Sequence, residues 1–351
     1  MTDRSIAARA APPRSAMTTL DDVARAAGVS LATASRVLNG STRRVAESYR
    51  QRVEAAAAEL GYTANLSAQA TAKGTSAVVA LLVADIADPY FGQLASGVAR
   101  GADEAGLVVT VAITERDPVR EVRLVRALRG QRPRALILAA SRSSESSSPE
   151  LRRELEAIVA AGGRVVAIGP GAGDVRSVVI DNRGGAFALA TALAGLGYRR
   201  AIALAAAEGV RTSDDRVAGF TEGFTAAGGR VDRIHRGAAF TRESGFAAMR
   251  EVLIDGVDAG TVVFGVSDVV AVGALAALRE AGREAGADVA VAGFDDISTG
   301  RDVTPPLTTV RVPLEDVGYQ TLRAALDDSW ELDAGALRLD VLLRDSTPPR
   351  S

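Results

Sequence analysis

Between residues 18 and 62 the apolar positions recur at helical spacing in short bursts separated by polar turns, with no strand-like alternation, which predicts a small all-helical unit. In TTLDDVARAAGVSLATASRVLNGS, Leu20, Val23, Ala24 and Ala27 stripe one face of a first helix, and Thr19 and Asp22 are spaced as a capping box at its start. Gly28 then breaks the helix and Val29 enters the core. Ser30 caps a second helix over 31–38, and Asn39-Gly40, residues that tolerate the left-handed conformation, end it. A helix, a Gly-containing turn and a second helix set a recognition helix in a major groove, and they also occur in plain bundles. Spacing alone leaves both open.

From Ser76 the pattern changes to short β-branched runs alternating with amphipathic ones. Strands are expected at 77–84, 107–112, 135–139, 164–168, 177–180, 200–206, 260–264 and 288–293. Helices are expected at 92–105, 118–129, 150–161, 184–196, 215–227, 243–254 and 268–281. Such alternation means parallel sheets with helices on both faces. Eight strands could close one barrel or divide into two sheets. The pattern restarts near Asp181, and TPPLTTVRVP at 304–313 reads as a late crossover, so two lobes are expected, with a ligand site where strand carboxyl ends face each other across a cleft.

Composition narrows the chemistry. The chain has 351 residues and 47% hydrophobic positions, enough for more than one unit. It has no cysteine and one histidine, His235, which excludes disulfides, thiolate nucleophiles, Cys-based zinc sites and histidine clusters. No apolar run approaches the roughly 18 residues of a membrane span, and residues 1–16 carry no apolar signal core, so the expected location is the cytoplasm, with no membrane partner. The net charge is −2, yet residues 1–75 carry ten Arg/Lys against six Asp/Glu, a split that suits a DNA-facing end as well as an ordinary surface. Gly169-Pro-Gly-Ala-Gly173 opens no helix as a dinucleotide loop must, there is no Walker A sequence, and the Ser-rich stretch 141–150 lacks a histidine partner. No enzyme and no cofactor are expected.

The stretch from Leu20 to Gly40, followed by Glu59-Leu-Gly-Tyr62, closely resembles the headpiece of the LacI/GalR-type family of bacterial transcriptional repressors. The resemblance continues through Asp88-Pro-Tyr-Phe91, Ile180-Asp-Asn-Arg-Gly-Gly185, Asp215-Arg-Val-Ala-Gly-Phe220, Ser267-Asp-Val-Val-Ala-Val-Gly-Ala-Leu275, Gly293-Phe-Asp-Asp296 and Pro306-Leu-Thr-Thr309, in family order. It implies an all-α helix-turn-helix headpiece at 17–62, a hinge at 63–75 and a two-lobed, periplasmic-binding-protein-like α/β effector domain at 76–346, after a disordered extension at 1–16; Met17 is a second candidate start. Operator binding as a homodimer on pseudo-palindromic double-stranded DNA, controlled by a sugar or related metabolite, is the implied function. The rival is a secreted sugar-binding protein without DNA function.

Roles follow position by position. Leu31 and Ala32 match the pair that discriminates bases, and Arg36 matches a position that reaches a base edge, where arginine suits guanine O6 and N7. Thr33, Ser35 and Asn39 suit phosphates and orientation. The loop at 39–45 is one residue longer than usual, leaving Arg43 and Arg44 as alternatives for a phosphate. In the hinge Thr71 stands where a wedging leucine is usual and Ala64 where a proline is usual, which implies weaker kinking of the operator. For the effector, the loop 84–91 offers Asp88, Tyr90 and Phe91, and the facing lobe offers Arg216, Asp268 and Asp295, with Phe240 as a wall. Ser267 replaces a customary asparagine. The final RDSTPPRS carries no heptads, so no tetramerising coiled coil is expected.

Overall fold

A computed structural model of the chain describes residues 18–38, 45–63, 76–139, 148–169, 175–237, 239–331 and 337–350. Expectations for Met17, Asn39, Arg43, Arg44, Ala64, Thr71 and most of the Ser-rich stretch fall outside these residues. The chain divides into two compact units, Met1–Lys73 and Gly74–Ser351.

In the first unit α1 (Leu20–Ala27), α2 (Leu31–Leu38) and α3 (Glu47–Glu59) bury Val23, Ala24, Ala27, Ala34, Val53, Ala56 and Ala57 together. The capping box is formed: the Asp22 amide donates to Thr19 Oγ1 at 3.3 Å and the Thr19 amide to Asp22 Oδ2 at 2.9 Å. Gly28 takes φ +62°, which ends α1 and turns the chain into Ser30, whose Oγ accepts the Thr33 amide at 3.1 Å. Arg52 of α3 reaches back to the carbonyls of Ala27 and Gly28, supplying donors to the end of α1.

The second unit has two parallel sheets. β1 (Val78–Val83), β2 (Val108–Ile113), β3 (Ala135–Leu138), β4 (Arg164–Ile168) and β5 (Arg176–Val178) run in the order β2-β1-β3-β4-β5. β6 (Arg200–Ala205), β7 (Arg230–Arg236), β8 (Thr261–Gly265) and β9 (Ala290–Ala292) run β7-β6-β8-β9. Alternate residues leave each strand on opposite faces. Val79, Leu81 and Val83 pack with α4 (Pro89–Glu104), while Ala80 and Leu82 pack with α5 (Pro118–Arg129) and α6 (Pro149–Ala160). In the second lobe α7 (Asn182–Gly195) and α8 (Arg211–Ala226) cover one face, and α9 (Arg242–Ile254) and α10 (Asp268–Glu280) the other. The pattern is doubly covered parallel sheet in two lobes, as expected.

Three strands and two helices were not anticipated. β7 has polar residues on alternate sides and a bulge that leaves Asp232 without a register partner on β6, so Val231 and Ile234 fall three apart and the period-two signal is lost. β10 (Thr309–Arg311) and β11 (Asp340–Leu342) are three-residue strands, below the length at which alternation is legible. Beyond the short α11 (Ser298–Asp302), the chain crosses after β10 and forms α12 (Leu314–Leu326), which returns to the first lobe beside α4. That pair is close: a Cβ on Gly97 would lie 1.8 Å from the Glu315 carbonyl oxygen, and one on Gly318 2.1 Å from that of Leu94. Only glycine permits this approach. Among the described residues no helix is long and apolar enough to cross a membrane.

Candidate DNA-reading helix and effector cleft

On α2 the residues at 31, 32, 35 and 36 share one helical face, since steps of one and four return to the same side. Leu31, Ala32 and Arg36 are exposed, with Leu31 at 51%, whereas Ala34 is fully buried against α1 and α3. Arg25 and Arg50 of the same unit are engaged by Asp21, Asp22 and Glu47. Arg36 extends from the exposed face on the last turn. Thr33 is partly committed: its Oγ1 lies 2.8 Å from Ser30 Oγ within the cap. Ser35 is half-buried. The exposed face thus combines an apolar pair with one arginine, a surface able to meet a thymine methyl and a guanine edge.

In the second unit the carboxyl ends of both sheets supply one polar cluster. Arg216 on α8 is 1% exposed and is held on four sides. Its Nη2 donates to Asp295 Oδ1 at 2.7 Å and its Nη1 to Asp295 Oδ2 at 3.2 Å and to the Val266 carbonyl at 2.7 Å. Its Nε donates to Asn182 Oδ1 at 2.8 Å, and its guanidinium stacks 3.9 Å from the Phe294 ring centre. Neither Asp214 nor Asp215, its sequence neighbours, is the partner; Asp214 pairs with Arg236 at 2.8 Å. Asp295, at φ +118°, is 4% exposed; burial pushes its carboxyl up, against the pull of Arg216.

The first lobe brings Asp88, Tyr90 and Arg116 to the same cluster. The segment expected as loop is helical from Pro89, because Asp88 accepts the Tyr90 amide at 3.0 Å and proline occupies the first helical position. Asp88 is 9% exposed, and burial raises its carboxyl against the Tyr90 amide and Arg116. Burial pushes the Tyr90 phenol up, and the field of Asp295 adds to this, so its hydroxyl stays a neutral donor and acceptor. Arg116 lies in a two-residue left-handed turn with Glu115, φ +57° and +54°, and its guanidinium sits 5.6 Å from the ring centre of Phe240 in the second lobe. Asp88 and Asp85 attract it from its own lobe, while burial lowers its pKa.

Two expected residues are placed differently. Phe91 belongs to the buried core, 4% exposed, with its ring edge-on to Tyr90 at 5.0 Å; it supports the Tyr90 ring. Asp268 is fully buried with both carboxylate oxygens engaged, Oδ1 by the Thr309 hydroxyl at 2.6 Å and Oδ2 by the Ile297 amide at 2.9 Å. It fastens the segment that carries Asp295. Burial pushes its carboxyl up to about 6, opposed by those two hydrogen bonds. Sequence reasoning missed Arg116 and Asn182, and the Ile180-Asp-Asn motif was the available signal for the latter. Ser267 is 3% exposed and its hydroxyl has no hydrogen-bond partner among the described residues. A groove of about 870 Å³ lies elsewhere in the first lobe, between α6 and α12. There Arg176 is occupied by the Ala324, Asp327 and Asp328 carbonyls.

Residues 19–65 match the model of bacterial regulatory proteins of the lacI family, and residues 190–338 match a periplasmic binding protein-like domain. The HTH-type transcriptional regulator CelR of Thermobifida fusca is 34% identical over 315 residues, covering 88% of this chain and 91% of CelR. A solved structure of a CelR–cellobiose complex superposes with a TM-score of 0.67 at 32% identity, covering 94% of this chain and 99% of that one. The lac repressor dimer bound to operator and the anti-inducer ONPF superposes with a TM-score of 0.79 at 26% identity, covering 95% of this chain and 100% of that one. These relatives are regulators rather than enzymes, and the likeness spans both units. The chain belongs to the lacI family of bacterial transcriptional regulators and is a DNA-binding regulator.

Proposed function

We propose that this regulator represses from a pseudo-palindromic operator as a homodimer in the cytoplasm, and that a sugar or related neutral metabolite bound between the lobes of residues 76–346 sets its operator affinity. The headpiece at 17–62 reads the site: Arg36 contacts a guanine edge, Leu31 and Ala32 add apolar discrimination, and Thr33, Ser35 and Asn39 orient the helix on phosphates. Thr71 in the connector at 63–75 takes the place of the usual wedge and kinks the operator weakly.

The observation that carries the effector reading is the convergence of Asp88, Tyr90 and Arg116 from one lobe with Phe240, Arg216 and Asp295 from the other. Carboxylates and guanidiniums in near balance, with two aromatic faces, suit a ligand rich in hydroxyl donors and acceptors better than a strongly charged one. Cellobiose on CelR and the anti-inducer on the lac repressor set a precedent in relatives of this chain. The test is a thermal-shift screen of sugars, nucleosides and related metabolites, followed by operator binding with each hit. A hit that raises the melting temperature and changes operator affinity supports the reading. Hits that bind with no effect on DNA contradict it and favour a plain binding protein.

A further inference from the structure

Residues 118–134 contain six arginines and one acidic residue, Glu121, in a chain whose net charge is −2. Arg120, Arg123, Arg126 and Arg129 recur every three residues on α5, and Arg132 and Arg134 follow in the turn into β3. Several exposed arginines elsewhere in the unit pair with acids: Arg164 with Asp328, Arg183 with Glu222, Arg200 and Arg230 with Asp232. Here the acids run short. Arg120 takes Glu115, and Arg126 and Arg129 share the single carboxylate of Glu154. No carboxylate of the described residues lies within 4.0 Å of Arg123, Arg132 or Arg134, all three exposed.

The position of this surplus in the lobe matters as much as its size. α5 starts beyond the carboxyl end of β2 and runs back to the amino end of β3, so Arg129, Arg132 and Arg134 sit at the end of the lobe opposite the effector cluster. There the chain enters the lobe: the Ser76 amide and hydroxyl both donate to the Arg132 carbonyl, at 2.8 and 3.0 Å, and the Arg134 amide donates to Val78 at 2.8 Å. The connector to the DNA-reading unit ends at this edge. It comprises twelve residues, 64–75.

We propose that this arginine edge is a second DNA-contacting surface, in which Arg132 and Arg134 engage phosphates of operator-flanking DNA. The inference rests on the operator-binding reading above. An exposed run of guanidiniums fits an extended polyanion, and arginine pairs with phosphate through two parallel N–H bonds. Phosphate contacts carry no base specificity and release counterions, so their signature is the salt dependence of affinity.

The experiment uses the full chain and two duplexes with the same operator core, one trimmed to the core and one with long flanks, titrated between 50 and 200 mM salt. The variants are Arg132→Ser with Arg134→Ser, and Arg132→Lys with Arg134→Lys. On the long duplex the serine variant should bind at least several-fold more weakly at low salt, with a log–log salt slope shallower by about 2 to 4, near 0.9 for each phosphate the homodimer no longer neutralises. The lysine variant should stay near wild type, and all three should agree on the trimmed core. An unchanged slope on the long duplex overturns the proposal, and so does a loss equal on both duplexes, which would assign these residues to anchoring the connector. Wild-type failure on the trimmed core would instead refute operator binding itself, so the two failures are distinguishable.

Discussion

Arg36 and Arg216 have the same side chain in opposite settings. Arg36 is exposed on the last turn of α2, so its replacement removes an intermolecular contact and leaves no buried partner behind. Arg36→Ala should cost about 1–3 kcal/mol on the preferred operator and relax discrimination at one base pair, measured by binding to a set of single-base operator variants; a uniform loss would reassign it to phosphate. Arg216 is enclosed by Asp295, Asn182 and Val266, so Arg216→Ala would strand a buried carboxylate and destabilise the lobe by about 3–5 kcal/mol. Arg116 and Tyr90 are the cleaner probes of the cleft. Asp268 offers a pH test. With its folded pKa raised to about 6 from 3.8, the native state keeps a proton that the unfolded state releases, so its contribution to stability falls as pH rises from about 4 to about 6 and is level above that. The stability advantage of wild type over Asp268→Asn, from denaturant unfolding, should therefore be larger at pH 4.5 than at 7.5, by roughly 2 kcal/mol. A constant difference would contradict the raised pKa.

At the scale of elements, the recognition helix was legible because its cap and its periodicity are local in sequence. The cleft was legible only in part. Arg216 and Asp295 were each nominated by a motif, but their pairing joins residues 79 apart in sequence, and no local pattern announces it. Arg116 was missed because it sits in a left-handed turn, where no periodicity marks which side chain faces the opposite lobe. Asp268 was misplaced because a carboxylate at a helix start reads the same whether it meets a ligand or, as here, Thr309 and Ile297. The glycines of α4 and α12 were equally silent, since close helix approach depends on the partner. Gly318→Ala should destabilise the second unit by several kcal/mol, because the clash is with the Leu94 backbone and no side chain can move aside. Chemical denaturation with unchanged midpoint would contradict the close crossing. The same device recurs between α9 and α10, where a Cβ on Gly245 or Gly273 would lie 2.1 Å from a facing carbonyl oxygen.

At the scale of the whole molecule, a DNA-reading unit is joined to a two-lobed unit whose polar cluster draws on both lobes. Any ligand that binds between Tyr90 and Phe240 makes differential contacts in the closed and open arrangements, and only such a difference can bias an equilibrium. Coupling of this kind is typically about 1–3 kcal/mol, or roughly 5- to 150-fold in affinity. Because Arg116 reaches the second lobe through Phe240 alone among its described partners across the cleft, Arg116→Ala should weaken both ligand affinity and the response while sparing folding. The most direct test is operator affinity of the full-length protein with and without a saturating ligand from the thermal-shift screen, for wild type and Arg116→Ala side by side. Wild type should show a ligand-dependent change of at least about five-fold, reduced in the variant, with equal ligand-free affinity in the two. A ligand that saturates the wild-type protein and leaves its operator affinity unchanged would contradict effector control of DNA binding.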